Sequence, residues 1–306
     1  MRVLCVHAHF DDFEFVAAGT FELLRRRGIP GFRARVVVCT DSRSGHHFRT
    51  RDETAAVRLA EQEASARLGG YEFELLRRPD GRPFSEAAHF VTRDFLAALW
   101  KAIRDFEPDY LFCPPLPADP RAGVHPDHIT VADAVRRIAY LINVPHEFLG
   151  EYPVADETCS RWIRTPVILN TYDGYMAGDN AGELVVDVES AFDLIAEQSW
   201  CHQSQINEWL PWVARHHLEP TADLAAWKMK LRARFDRQAR ELGLPAVSDR
   251  MAESAATHAL PEPDRDTVQA VLARSGGVIA SAARELGLSR QALYRRMEKF
   301  GLHKPE

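Results

Sequence analysis

The chain has 306 residues, 46% of them hydrophobic and 27% charged, with a formal net charge of -6; these are the proportions of a globular protein long enough for one large domain and a small one. No apolar run approaches the ~20 residues of a membrane helix, and the start, "MRVLCVHAH", turns polar too soon for a secretory signal, so a cytoplasmic protein is expected. The five cysteines (Cys5, Cys39, Cys113, Cys159, Cys201) stand far apart without a CxxC pair, which argues against both a disulfide framework and a cysteine-ligated zinc.

In chain order, "RVLCV" reads as a strand and "FVAAGTFELLRRRG" as a helix. "ARVVVCT" is a second strand, "DETAAVRLAEQEASARLGG" a helix, "YEFELL" a third strand, and "EAAHFVTRDFLAALWKAIRDF" a helix. "DYLFCP" is a fourth strand and "ITVADAVRRIAYLI" a helix. Strands that are apolar throughout and alternate with helices belong to a parallel sheet covered on both faces, so the expected class is α/β, a Rossmann-like open and mostly parallel sheet. Ligands of such sheets sit beyond the carboxyl ends of the strands, which singles out loops 7–14, 40–50, 79–84 and 115–128. Farther on, "PVILNTYDG" and "ELVVDV" read as later strands, "AFDLIAEQSWCHQSQINEWL" and "ADLAAWKMKLRARFDRQARELG" as helices.

Residues 243–263 are rich in Pro, Ala and small polar residues without periodicity and read as a linker between a domain over 1–242 and a small all-α domain over 264–306. From Arg274 to Lys304 seven Lys/Arg face two Glu, a basic tail on an acidic body.

Residues 7–14, "HAHFDDFE", place two histidines and three carboxylates where the first strand ends. His9 and Asp12, three apart at a strand-to-helix turn, can converge on one point above the sheet. Hydrolytic zinc takes about three N/O ligands and keeps one position open. A third ligand is supplied by "HPDH" at 125–128, which follows the fourth strand and heads a helix. Either cluster alone reads as a polar turn that caps a helix; two of them at strand exits on one sheet edge point to a metal.

"AHFDDFE" resembles the "AHPDDE" signature of the PIG-L/LmbE-like family of zinc-dependent N-acetylglucosamine deacetylases, and "HPDH" resembles that family's second motif. "RLAEQEASARLGG" followed by "RRPDG", and "CHQSQ" at 201–205, extend the likeness in order over about residues 1–240. The resemblance implies His9, Asp12 and His128 as ligands of Zn2+ (another divalent metal such as Fe2+ fits the same ligands), Asp11 as general base, and His125, oriented by Asp127, as stabiliser of the oxyanion. It implies an N-acetylated amino sugar or glycoconjugate as substrate, with Arg58 and Asp80 as sugar contacts. An exposed Arg58–Glu61 helical pair and a turn-forming Asp80-Gly81 are the plainer alternatives. Zinc lowers the pKa of water from about 15.7 to about 7 and polarises a carbonyl, which leaves a base and an oxyanion donor for the protein to provide. The sequence departs from the signature at Phe10, where the family has proline, and at the inserted Phe13. Gly123 stands where some relatives carry a tyrosine that helps the oxyanion. Arg43, Arg49 and Arg51 form a basic loop that would suit an anionic substrate group. His46 and His47 read as solvated loop residues, and His202 as packing behind the site.

The tail "RDTVQAVLARSGGVIASAARELGLSRQALYRRMEKFGL" has a small Ala282-Ala283 pair for close helix approach, a turn at Gly287, Ser289 as N-cap, and Leu293, Met297 and Phe300 on one helical face. It resembles the Fis-type helix-turn-helix, which implies DNA contacts from Arg290, Gln291, Tyr294 and Arg295 and association in pairs, a homo-oligomer. Two whole-protein readings follow: a zinc N-deacetylase that carries a DNA-binding or dimerising module, and a transcriptional regulator that uses a deacetylase-like domain as a ligand sensor.

Overall fold

The computed structural model describes residues 1–306 except 88–89, 119–123, 154–160, 175–182, 215–217, 245–263, 277, 287, 289 and 303–306. Contacts divide the chain into two compact units, Met1–Val247 and Ser248–Glu306. The linker expected at 243–263 lies almost wholly outside the described residues, as do Gly123, Cys159, Gly287 and Ser289. No helix among the described residues is long and apolar enough to cross a membrane.

The first unit is built on a five-stranded, all-parallel sheet of β1 (Arg2–His7), β2 (Arg33–Val38), β3 (Glu72–Leu75), β4 (Tyr110–Cys113) and β5 (Val167–Asn170), in the order β3-β2-β1-β4-β5. Consecutive side chains on a strand alternate between faces, and β1 shows why its run is apolar throughout. Leu4 and Val6 enter a core with α4 (Arg93–Phe106) and α5 (Pro126–Leu141), while Val3 and Cys5 enter another with α1 (Asp12–Val16), α2 (Ala18–Arg26), α3 (Arg51–Gly69), α6 (Phe192–Trp200) and α8 (Leu224–Glu241). Because the strands are parallel, their carboxyl ends share one edge. The strand order reverses direction at β1, with β2 on one side and β4 on the other, so the crevice beyond β1 and β4 is the topological switch point.

Four expected elements are redrawn, one of them the helix expected over 86–106, which begins only at Arg93 after its N-cap Thr92. "ELVVDV" is not a strand: Val188 packs against α2 at Gly19, while Leu184, Val185 and Val186 stay exposed, because β-forming residues make a strand only where a pairing edge reaches them. The single helix expected over 191–210 is interrupted between α6 and a π-helix at Ser204–Trp209, followed by α7 (Leu210–Ala214). Glu61 of α3 holds the second start by accepting hydrogen bonds from Ser204 N (2.8 Å) and Oγ (2.6 Å). The first expected helix is split into α1 and α2 at Ala17, whose φ of -137° is not helical.

The second unit has α9 (Arg265–Arg274), α10 (Ile279–Glu285) and α11 (Arg290–Phe300) around Val268, Val271, Leu272, Ile279, Ala282, Ala283, Leu293 and Met297. Ala282 and Ala283 are buried where the helices meet, as their size requires, and Phe300 packs at the edge. Tyr294 is exposed; the side chains of Arg290, Gln291 and Arg295 lie outside the described residues.

Candidate metal centre

Loops from all five strands converge at the switch point. His7 ends β1, and residues 8–11 carry the chain into α1. Asp11 takes the left-handed conformation (φ 90°, ψ -24°) and is not a glycine. Ser42 and Ala87, in the loops after β2 and β3, are also left-handed. Three such residues around one edge mark a place where surrounding contacts over-determine the backbone. Pro126 at the first helical position and His125 as N-cap start α5, so the second motif sits on a preorganised helix head.

The centre of the site is Asp12 Oδ2. It accepts hydrogen bonds from His9 N (2.8 Å) and lies 2.6 Å from His7 Nδ1; His9 Nδ1 and His128 Nε2 each stand 3.4 Å away. The other ring nitrogens are held by carboxylates: His9 Nε2 by Asp127 Oδ2 at 3.0 Å and His128 Nδ1 by Asp173 Oδ2 at 2.8 Å. A metal-binding histidine characteristically turns its second nitrogen to a carboxylate in this way. Bonds of about 2.0–2.1 Å from a tetrahedral ion separate its ligand atoms by about 3.3 Å, close to the 3.4 Å found on both sides of Asp12. His7 differs: 2.6 Å is a hydrogen-bond distance, so His7 reads as the donor that orients Asp12, although among the described residues the two groups whose ligand atoms all lie within 4.8 Å of one another are His7, Asp12, His128 and His9, His125, Asp127.

The electrostatics are those of a buried cluster rich in carboxylates. Burial lowers the proton affinity of His9 and His128, but hydrogen bonds to Asp12 and Asp127 lift His9 to about 9, and the charge of Asp12 with a hydrogen bond to Asp173 lifts His128 to about 10. Carboxylates that hold protons on two imidazoles so strongly are equally suited to a divalent ion. Burial pushes the His7 pKa down against the raising effect of Asp12. Burial raises Asp11 to about 6 against the opposing charge of Arg58. Asp12 is partly exposed and His125 half-buried, so the site opens to solvent on that side.

His125 stacks edge-on against His9 with ring centroids 4.5 Å apart. Its Nδ1 accepts the backbone N–H of Asp127 (3.2 Å), leaving Nε2 as the ring's remaining donor position, and burial lowers its pKa. The Asp127 carboxylate accepts from Ala87 N (2.8 Å) besides pairing with His9. Arg58 is 3% exposed and lies behind the loop: its Nη2 donates to Phe10 O (2.8 Å) and its Nη1 to Ser42 O (3.2 Å). The exposed Arg58–Glu61 pair is therefore absent. Asp80 accepts from Arg82 N (3.0 Å) and pairs with the Arg82 side chain in an exposed turn. In the loop after β2, Arg43 pairs with Asp41 (2.6 Å), and Arg49 pairs with Glu208. His46 is not solvated: its side chain is 1% exposed and 2.7 Å from Glu208. His202 is buried beside Glu14 (3.3 Å), behind the site as its packing role requires.

Sequence reasoning missed Asp173, His7 and Gln62. Asp173 lies just past β5 in "YDG", a third carboxylate at a strand exit, which was the available signal. His7 was in view as the first histidine of "HAH". Gln62, inside a helix, offered none.

Residues 4–139 match the family described as GlcNAc-PI de-N-acetylase (PIG-L), and residues 259–300 match the family described as bacterial regulatory protein, Fis family. Among solved structures, the fold resembles N,N'-diacetylchitobiose deacetylase from Pyrococcus horikoshii (TM-score 0.60, 21% identity, 80% of each chain covered). It also resembles the 4-carboxy-2-hydroxymuconate hydratase GalB from Pseudomonas putida (TM-score 0.55, 17% identity, 79% of this chain and 89% of that one). A third likeness is to the conserved protein TT1542 from Thermus thermophilus (TM-score 0.54, 17% identity, 80% and 90%). Comparison with curated proteins finds no match.

Proposed function

We propose, from the premise that residues 4–139 are a PIG-L domain and residues 259–300 a Fis-type helix-turn-helix, that the protein is a zinc-dependent N-deacetylase of an amino sugar or its glycoconjugate. The single observation that carries this reading is that His9 and His128 each turn one ring nitrogen toward Asp12 and the other to a carboxylate. His9, Asp12 and His128 would hold the ion, and Asp127, Asp173 and His7 would orient them. Zn2+ supplies polarisation of the acetamide carbonyl and a lowered pKa for the attacking water.

The chain's own residues carry the rest. Asp11 takes the water's proton; burial keeps its carboxylate more basic than usual, while Arg58 keeps it ionised. His125 presents Nε2–H to the developing oxyanion, and the proton that Asp11 takes from the water is the one available to the departing amine. Asp80 and Arg58 are not assigned to the sugar, because the first is engaged in its turn and the second is buried. The Fis-type unit is assigned to DNA, through Tyr294, Arg290, Gln291 and Arg295, in a paired copy of the chain.

Metal analysis of the purified protein with an acetate-release assay over a panel of N-acetyl amino sugars tests the reading. About one zinc per chain with release of acetate is expected. Full zinc without turnover, joined to DNA binding that depends on a sugar ligand, would replace the enzyme by a sensor.

A further inference from the structure

The peptide between Phe10 and Asp11 is gripped at three consecutive backbone groups by three side chains. Phe10 N donates to Ser42 Oγ (2.9 Å), Phe10 O accepts from Arg58 Nη2 (2.8 Å), and Asp11 N donates to Gln62 Oε1 (3.2 Å). Arg58 and Gln62 are four residues apart on α3 and therefore share one face of the helix. Arg58 Nη2 also lies 3.5 Å from Asp11 Oδ1, and its Nη1 donates to the carbonyl of Ser42, itself left-handed.

Gln62 is in turn fixed from behind. Its Nε2 donates to Glu14 Oε1 (3.0 Å) and Tyr71 Oη (2.8 Å), so the amide oxygen must face Asp11. Tyr71 Oη also donates to Glu14 Oε1 (3.1 Å), Ser65 Oγ bonds the same oxygen, and His202 Nε2 lies 3.3 Å from it. Gln62, Ser65 and His202 are fully buried. Every side chain of this group is buried, and through Gln62 the group is linked to the backbone N–H of Asp11.

We infer that Arg58 and Gln62 are positioning residues that impose the left-handed conformation on Asp11, and that Glu14, Tyr71 and His202 form the brace that holds Gln62. The inference deepens the proposed reaction and rests on Asp11 being its base. A φ of 90° is uncommon for a residue other than glycine; the two side chains of α3 supply the constraint. The inserted Phe13 gives Glu14 its inward direction, since Phe13 is packed on Phe21 and Tyr71 (5.1 and 4.8 Å between ring centroids).

The test compares crystal structures and kinetics of the full-length parent, Gln62→Met and Arg58→Lys, each analysed for zinc. Gln62→Met keeps size and removes the acceptor; Arg58→Lys keeps charge and one donor. Asp11 is expected to leave the positive-φ region in Gln62→Met. On any N-acetyl sugar the parent turns over, kcat falls roughly 10- to 100-fold at unchanged KM and zinc content, with a smaller loss in Arg58→Lys. An Asp11 φ still near 90° in both variants would overturn the inference. So would a raised KM at unchanged kcat, the signature of a substrate-binding arginine. If the parent turns over no N-acetyl sugar, the deacetylase reading fails, and the backbone angle alone still decides the clamp.

Discussion

Asp12 and Asp11 are neighbours with opposite environments. Asp12 is surrounded by imidazoles: burial alone would raise its pKa, but His7 and His128 hold it well below the usual carboxylate range, so it stays anionic. Asp11 faces one arginine and is pushed up to about 6. Division of labour between two adjacent carboxylates thus follows from what each one touches. Asp11→Asn should retain zinc and lose about 10²–10⁴-fold in kcat, as removal of a positioned base does; unchanged turnover with full zinc would remove Asp11 from the chemistry. Asp173→Ala removes the carboxylate that pairs with His128 Nδ1 and should weaken metal affinity about 10- to 100-fold, read by competition with a chelator. An unaltered affinity would show that His128 needs no such partner.

At the scale of elements, α3 serves the sheet, the site and the late segment together. A capping box of Thr50 and Glu53 starts it, and Gly70, at φ +64°, ends it. Between these ends Arg58 and Gln62 face the motif loop while Glu61 receives Ser204. Its last turn is tight against its neighbours: a Cβ on Gly69 would stand 1.8 Å from Gln198 Nε2 and 2.7 Å from the Tyr71 ring. Ala at 69 gains at most about 1 kcal/mol of helix propensity, whereas overpacking a buried contact costs about 1–3 kcal/mol. Gly69→Ala should therefore lower stability in a denaturant titration. It should also disturb Tyr71, which reaches the brace of the site. The loop after β2 shows how tertiary pairing changes a reading made from charge. Arg43 and Arg49 look like an anion site in sequence but are paired with Asp41 and Glu208.

For the whole molecule, the two compact units make separable predictions. Chelation of the metal should lower the melting temperature of the first unit, since a ligand that binds only the folded state stabilises by mass action. The helical unit, which has its own apolar core, should melt as before; a common shift of both would contradict that independence. Arg290→Ala with Arg295→Ala should weaken DNA binding and reduce its salt slope by about one for each lost phosphate contact, leaving acetate release intact. DNA affinity that is unchanged in the double variant would remove these residues from the interface.

The sequence alone determined the α/β class, the four strands from "RVLCV" to "DYLFCP", both histidine-carboxylate motifs and the separate helical tail. Those features are written in local patterns: continuous apolar runs, helical periodicity and polar clusters at strand exits. Only the tertiary structure decided that β1 lies between β2 and β4, which brings residues 9 and 128 to one carboxylate. It also decided that Asp173 and Gln62 belong to the same site and that Arg58 points inward. Strand order and the inward face of a mid-helix residue depend on contacts between distant segments, and a pattern of neighbours along the chain does not encode them.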